Sequence, residues 1–128
     1  MTIVFLLLAV SQQFLQMQPI QDSIRSGDFS GIKPICQGRL SVNLEEPLAI
    51  KGYFYRDQVA EELDSGFSRV TAENIEWSSI QVEENIAVQS MNLMLRDRFS
   101  GRRFYYKLIF FMSKEKEWKL YYLRGLRS

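Results

Sequence analysis

From residue 73 to its C-terminus the chain reads as four extended segments, roughly 73–82, 86–98, 102–113 and 117–126. They are separated only by short punctuation at Glu84-Asn85, Ser100-Gly101 and Glu115-Lys116. Long consecutive strands joined by tight turns pair antiparallel with their sequence neighbours, because a parallel return needs a dozen or more residues. A four-strand meander therefore makes up the C-terminal half, and whatever precedes it must cover one of its faces.

Turn length sets which residues share a face. If Ser100-Gly101 is a two-residue turn, Phe99 opposes Arg102. Leu95 then faces Tyr106, Leu93 faces Leu108 and Met91 faces Phe110, all on one side. An even-length turn around Glu115-Lys116 adds Tyr121 and Leu123 to that side. The opposite side collects Val88, Ile109, Phe111, Trp118, Leu120 and Tyr122, with Phe111–Leu120 and Ile109–Tyr122 as cross-strand neighbours. A sheet apolar on both sides needs two covers. The remaining chain supplies one, so this face is expected to meet a partner, most simply a second copy in a sheet-to-sheet homodimer.

The cover is helical. PIQDSIRSG places Pro19 in a first turn, sets Ile20 and Ile24 on one face, and ends at Gly27. Asp28 is placed to cap a second short helix over DFSGIKPIC, which Pro34 must kink or stop. RLSVNLEE alternates Leu40, Val42 and Leu44 with polar residues, as a strand does. YFYRDQVAEELDSGF then runs from an aromatic extended entry into a third helix with Val59, Leu63 and Phe67 along one stripe. Helices first and strands after make an α+β order.

At 128 residues and 46% hydrophobic the chain is one domain with enough apolar material for a core. It holds no His and one Cys, Cys36. That excludes an internal disulfide, multi-Cys or His metal sites and His-based catalysis, and no cofactor is expected. Net charge is +1, yet residues 93–128 carry ten basic and three acidic side chains against six and twelve before them. The plain reading is that this basic third pairs in space with the acidic segments 61–64 and 73–84; nucleic acid is not an expected partner. The apolar run from Ile3 to Val10 is too short to span a bilayer and matches the core of a secretory signal, although no Lys or Arg precedes it. Residues 1–18 are thus expected to be a signal peptide and Gln-rich spacer and 19–128 the mature domain, leaving no transmembrane segment after cleavage.

The stretches IQDSIRSGDFSGI, YFYRDQVAEELDSGF and YYLRGLR, within residues 20–127, resemble the bacterial exported domain of unknown function 4783 family, in the nuclear transport factor 2-like superfamily. The departures are Gly66, where the pattern looks more aromatic, and Pro34 in the second helix. The resemblance implies a cone: three N-terminal helices packed on a curved, mainly antiparallel sheet, with sheet-to-sheet dimers common. It also implies an exported bacterial setting, periplasmic or secreted. Tyr53 and Tyr55 would line the join between helices and sheet. A small apolar ligand inside the cone would meet them together with Met91, Leu93, Leu95, Tyr106, Phe110 and Tyr121.

Two clusters carry candidate chemistry. Some members of the superfamily move protons with Asp and Tyr, so Asp97 with Tyr106 or Tyr121 is the candidate for an isomerase- or dehydratase-like enzyme, Asp97 as base and a tyrosine hydroxyl holding an oxyanion. The plainer reading of Asp97 is a solvated charge near a turn. Arg96, Arg98, Arg102 and Arg103 around the same hairpin are candidates for binding an anion, or simply a charged edge. Gln58 and Arg56 at the third helix read as capping residues, and Cys36 as a small buried hydrophobe. The expected function is non-catalytic binding or scaffolding, with the enzyme and a purely structural dimerisation module as alternatives. The last predicts a cone filled by its own side chains.

Overall fold

The structure, a computed structural model, describes residues 18–128. The expected signal peptide lies outside the described residues. Helical residues 18–26 (α1) bury Ile20 and Ile24, and Gly27 closes the helix at φ +82° with its N–H on the Ser23 carbonyl at 2.7 Å. The expected second helix is a 3₁₀ turn, Ser30–Ile35. Six residues with Pro34 among them cannot sustain the i→i−4 ladder of an α-helix, since proline lacks the N–H. Asp28 Oδ1 accepts the Ser30 N–H at the mouth of this turn.

Seven strands form one curved, unclosed sheet, six of them in the order β2-β1-β7-β6-β5-β3. They are β1 Cys36–Leu44, β2 Ile50–Tyr55, β3 Val70–Trp77, β4 Gln81–Glu83, β5 Ile86–Asp97, β6 Arg103–Lys114 and β7 Trp118–Arg127; β4 extends the β3 edge along β5. Helix α2, Arg56–Phe67, joins β2 to β3. All pairings are antiparallel except β1 with β7. The strand β2 is an addition to the sequence reading, which takes only the aromatic start of YFYRDQVAEELDSGF as an extended entry. Its alternation is weak because one of its three inward positions is Gly52.

The β5–β6 turn is longer than the two residues expected. Asp97 Oδ1 accepts the N–H groups of Phe99 and Ser100, each at 2.8 Å, and Gly101 takes φ +73°, so residues 98–101 form the turn. Leu93 therefore opposes Tyr106 and Met91 opposes Leu108, a shift of two residues. An even shift leaves every side chain on its expected face. The β6–β7 ladder differs in kind. A bulge between Phe111 and Met112 makes Tyr121 the extra residue, with Phe111 opposite Tyr122 and Met112 opposite Leu120. Beyond the bulge the faces exchange. Leu120, expected outside, is buried on the inner side; Trp118, also expected outside, packs against the core. Tyr121, expected inside, turns outward beside Phe111 at 6.4 Å between ring centroids.

The inner face of the sheet packs on α1, the 3₁₀ turn and α2. Phe29 and Phe67 rings meet at 5.0 Å, and Asp64 of α2 accepts the Phe29 N–H at 2.7 Å, fixing helix to turn. At the far end of the sheet Tyr106 is 2% exposed and donates its hydroxyl to the Glu45 carbonyl at 2.8 Å. Its ring lies directly over Gly125, where any Cβ would collide with Tyr106 Oη and Cε1. The Glu45 N–H returns to the Gly125 carbonyl, and its carboxylate accepts the Arg127 N–H. Three strands, β1, β6 and β7, are locked at this point.

Gly125→Ala is therefore expected to cost about 2–3 kcal/mol by overpacking. Tyr106→Phe should cost about 1 kcal/mol, leaving the Glu45 carbonyl with only the Ala49 N–H at 3.2 Å. Removing the hydroxyl also removes the atom nearest the new methyl. Urea titrations of the double variant should thus show less than the sum of the two losses.

Candidate functional site

A binding cone requires room inside it, and the described residues leave almost none. The cavity between Ile24, Phe29, Phe67, Leu108, Phe110 and Leu123 measures about 10 Å³, roughly the space for one water. Met91, Leu93, Leu95, Tyr106 and Phe110 do line the inner face, but as close-packed core. The one polar side chain buried among the strands there is Gln89, 3% exposed, which sequence patterning passed over because Gln is common on surfaces. Its Nε2 donates to the Ser78 carbonyl at 3.1 Å, and its Oε1 finds no partner among the described residues.

Tyr53 and Tyr55 are not at the join between helices and sheet. They alternate with Gly52 and Phe54, whose side of β2 faces inward, so both point outward, 63% and 55% exposed. Arg39 on β1 lies over both rings, at 5.3 and 4.4 Å from their centroids, and donates to the Tyr55 hydroxyl at 3.1 Å. Tyr53, Tyr121 and Tyr122 flank a shallow groove of about 500 Å³ on this outer face.

Asp97, Tyr106 and Tyr121 are not brought together. The Asp97 carboxylate is turned into its own hairpin, where the Ser100 and Phe99 N–H groups hold it below the usual carboxylate range. A carboxylate stabilised in its ionised form is a poor proton acceptor near neutrality. The Tyr106 hydroxyl is engaged by Glu45, and burial followed by the Glu45 charge raises its pKa, the reverse of what an activated phenol shows. Tyr121 lies on the opposite face.

The four arginines likewise fail to converge. Arg96 and Arg103, directly opposite on β5 and β6, reach Glu73 at 3.1 and 3.9 Å, which realises the expected pairing of the basic third with the acidic segments at Glu73. Arg98 Nε donates to the Val70 carbonyl at 3.2 Å, and Arg102 lies over the Phe104 ring at 5.0 Å. Gln58 Oε1 accepts the Tyr55 N–H at 3.1 Å, capping α2.

The outer face retains half-buried Val88, Ile109, Phe111 and Tyr122 on neighbouring strands, with Phe111 and Tyr122 stacked at 5.0 Å. Charges divide across it. Outward positions of β1, β2, β6 and β7 hold Arg39, Lys51, Lys107 and Arg124, whereas those of β3 and β4 hold Glu76 and Glu83, with Glu73 beside them already paired to Arg96 and Arg103.

The overall arrangement of a helical layer on a curved sheet is shared with solved proteins. A DUF4783 family protein from Bacteroides uniformis superposes with a TM-score of 0.68 at 8% identity, covering 87% of this chain and 95% of that one. The fold is nuclear transport factor 2-like. A protein of unknown function with a cystatin-like fold from Nostoc punctiforme gives 0.71 at 14% identity, over 94% and 78% of the two chains. A candidate dehydratase of the nuclear transport factor 2-like family from Streptomyces avermitilis gives 0.69 at 11%, over 94% and 96%. No protein-family profile and no curated protein matches the sequence. Among the described residues no helix is long and apolar enough to cross a membrane.

Cys36 closes one wall of an open cleft with Arg56, Ser113, Lys116 and Lys119, but its thiol is 1% exposed. Burial pushes its pKa up to about 12, outweighing the attraction of Arg56 and Lys119. Because the folded value lies above the unfolded one, the associated stability is complete below pH 9 and is lost as pH rises toward 12. Ellman's reagent at pH 8 is expected to modify the thiol only in denaturant, and Cys36→Ala should flatten the alkaline fall in Tm between those limits.

Proposed function

We propose that this domain is a non-catalytic scaffold that acts through the outer face of its sheet, first of all as a homodimer. The observation that carries this reading is the packed inner face: among the described residues, Met91, Leu93, Leu95, Tyr106 and Phe110 are buried under the helices, which favours recognition on the outside. The apolar cluster Val88, Ile109, Phe111 and Tyr122 supplies the centre of an interface, and the flanking tyrosines enlarge it. The charge division supports a second copy as the partner. Turned about an axis running along the strands, it would lay the basic β1–β2 edge over the acidic β3–β4 edge; turned about an axis across them, it would set like charges together. An exported bacterial setting fits the apolar run Ile3–Val10 and the bacterial proteins that share the fold.

Light scattering across a dilution series should report a dimer. Phe111→Asp should weaken association by about 2 kcal/mol or more, roughly thirtyfold in Kd, while leaving the circular dichroism spectrum unchanged. A wild-type protein that stays monomeric at every concentration would defeat the reading.

A further inference from the structure

At the strand ends away from the outer-face cluster, Phe99 projects from the β5–β6 turn. It is 92% exposed, well beyond any other large hydrophobic residue described. A mobile loop would explain such exposure cheaply, but this turn is built. Asp97 clamps the Phe99 and Ser100 N–H groups with one carboxylate oxygen, and the Gly101 N–H returns to the Asp97 carbonyl at 2.9 Å. The Asp97 N–H bonds the Arg102 carbonyl at 2.8 Å. Arg98 ties the turn sideways to the start of β3, by its N–H to the Arg69 carbonyl at 3.0 Å and by Nε to the Val70 carbonyl. The structure thus spends a network of hydrogen bonds on holding a phenyl ring in water.

Arginines surround it. Arg69, Arg96, Arg98, Arg102, Arg103 and Arg127 belong to this end of the molecule, where the carboxylates are Glu45, Glu46, Glu73 and Asp97. Three of the four are already committed: Glu73 to Arg96 and Arg103, Asp97 to its turn, and Glu45 to the Arg127 N–H. The excess is positive and spread in pairs, Arg96 and Arg103 on Glu73, Arg102 and Arg127 over the Phe104 ring, Arg69 and Arg98 on the Leu48 and Val70 carbonyls, so no single centre gathers all six. A fan of charge complements a sheet of anions better than it complements one ion. A convex tip with a single apolar side chain is also too small for a stable protein interface. Hydrocarbon under a layer of headgroups, in contrast, receives such a ring without needing a matching pocket.

We propose that the β5–β6 turn is a docking tip for an anionic lipid bilayer, with Phe99 entering the headgroup–acyl boundary and the surrounding arginines contacting lipid phosphates. The contact leaves the outer-face cluster Val88, Ile109, Phe111 and Tyr122 free, so it stands independently of dimerisation. Each arginine near a negatively charged surface raises partitioning roughly fivefold, and the effect is screened by salt.

The test is flotation of the intact protein with vesicles of phosphatidylcholine alone or mixed with phosphatidylglycerol. Binding is expected only to the mixed vesicles, and it should weaken as salt rises. Phe99→Ser should reduce it about tenfold, and Arg102→Gln with Arg103→Gln about twenty-five-fold at low salt. These side chains are exposed, and an unchanged Tm verifies that each variant folds. Phe99→Trp, read as a difference spectrum against wild type, should shift its emission to the blue on mixed vesicles and be quenched by brominated acyl chains. Full binding by Phe99→Ser, or a tryptophan at 99 that remains in water on the vesicle, overturns the proposal. So does retention on a soluble polyanion column with no flotation, which would make the arginines a polyanion site.

Discussion

The parallel contact between β1 and β7 turns a simple meander into a cone, and it is held at its end by one compact arrangement around Tyr106. The ring of this residue can lie flat on β7 only because position 125 has no Cβ, and its hydroxyl then reaches the Glu45 carbonyl on the way out of β1. Glu45 answers with its own N–H to Gly125 and its carboxylate to the Arg127 N–H. Of these groups the buried one is the Tyr106 hydroxyl, and its bond to the Glu45 carbonyl is what ties β6 to the end of β1. With β1 fixed beside β7, β2 follows by antiparallel pairing, and α2 is delivered across the concave side with Val59, Leu63 and Phe67 directed inward.

That closure has a functional consequence. An inner face covered by α1, the 3₁₀ turn and α2 leaves a cavity of about 10 Å³ among the described residues, so this version of the fold spends its concavity on stability. What is left for recognition lies outside: an apolar centre with oppositely charged edges on the sheet, and a rigid aromatic tip ringed by arginine at one end. The candidate carboxylate for proton transfer became part of that tip's architecture. Its low pKa and its hydrogen bonds have a single cause, two backbone N–H groups directed at one oxygen.

Much of the fold was legible in periodicity. Helices ahead of a strand meander, the buried stripe of α2, and the inward set Met91, Leu93, Leu95, Tyr106, Leu108 and Phe110 all follow from patterns local to each segment. The register error between β5 and β6 did no harm, because a turn longer by an even number preserves the alternation of faces. The bulge at Tyr121 did, since one extra residue reverses it; Leu120 and Trp118 moved inward and Tyr121 outward. Nothing in YYLRGLR announces a bulge, which arises from how β7 must bend to meet β1 and β6 together. Tyr53 and Tyr55 were misplaced for a related reason. With Gly52 at one inward position, β2 has too little alternation to declare its sides.

The sequence by itself determined the order of the elements, which of them are amphipathic, and the absence of His and disulfide chemistry, because these depend only on residue identity and spacing along the chain. The tertiary structure alone decided whether the cone is open, where the tyrosines lie, and whether Asp97 and the arginines form a site. Those outcomes depend on turn lengths, a single bulge and a glycine's missing Cβ, where an atom or one residue of register moves a side chain from one face of the sheet to the other.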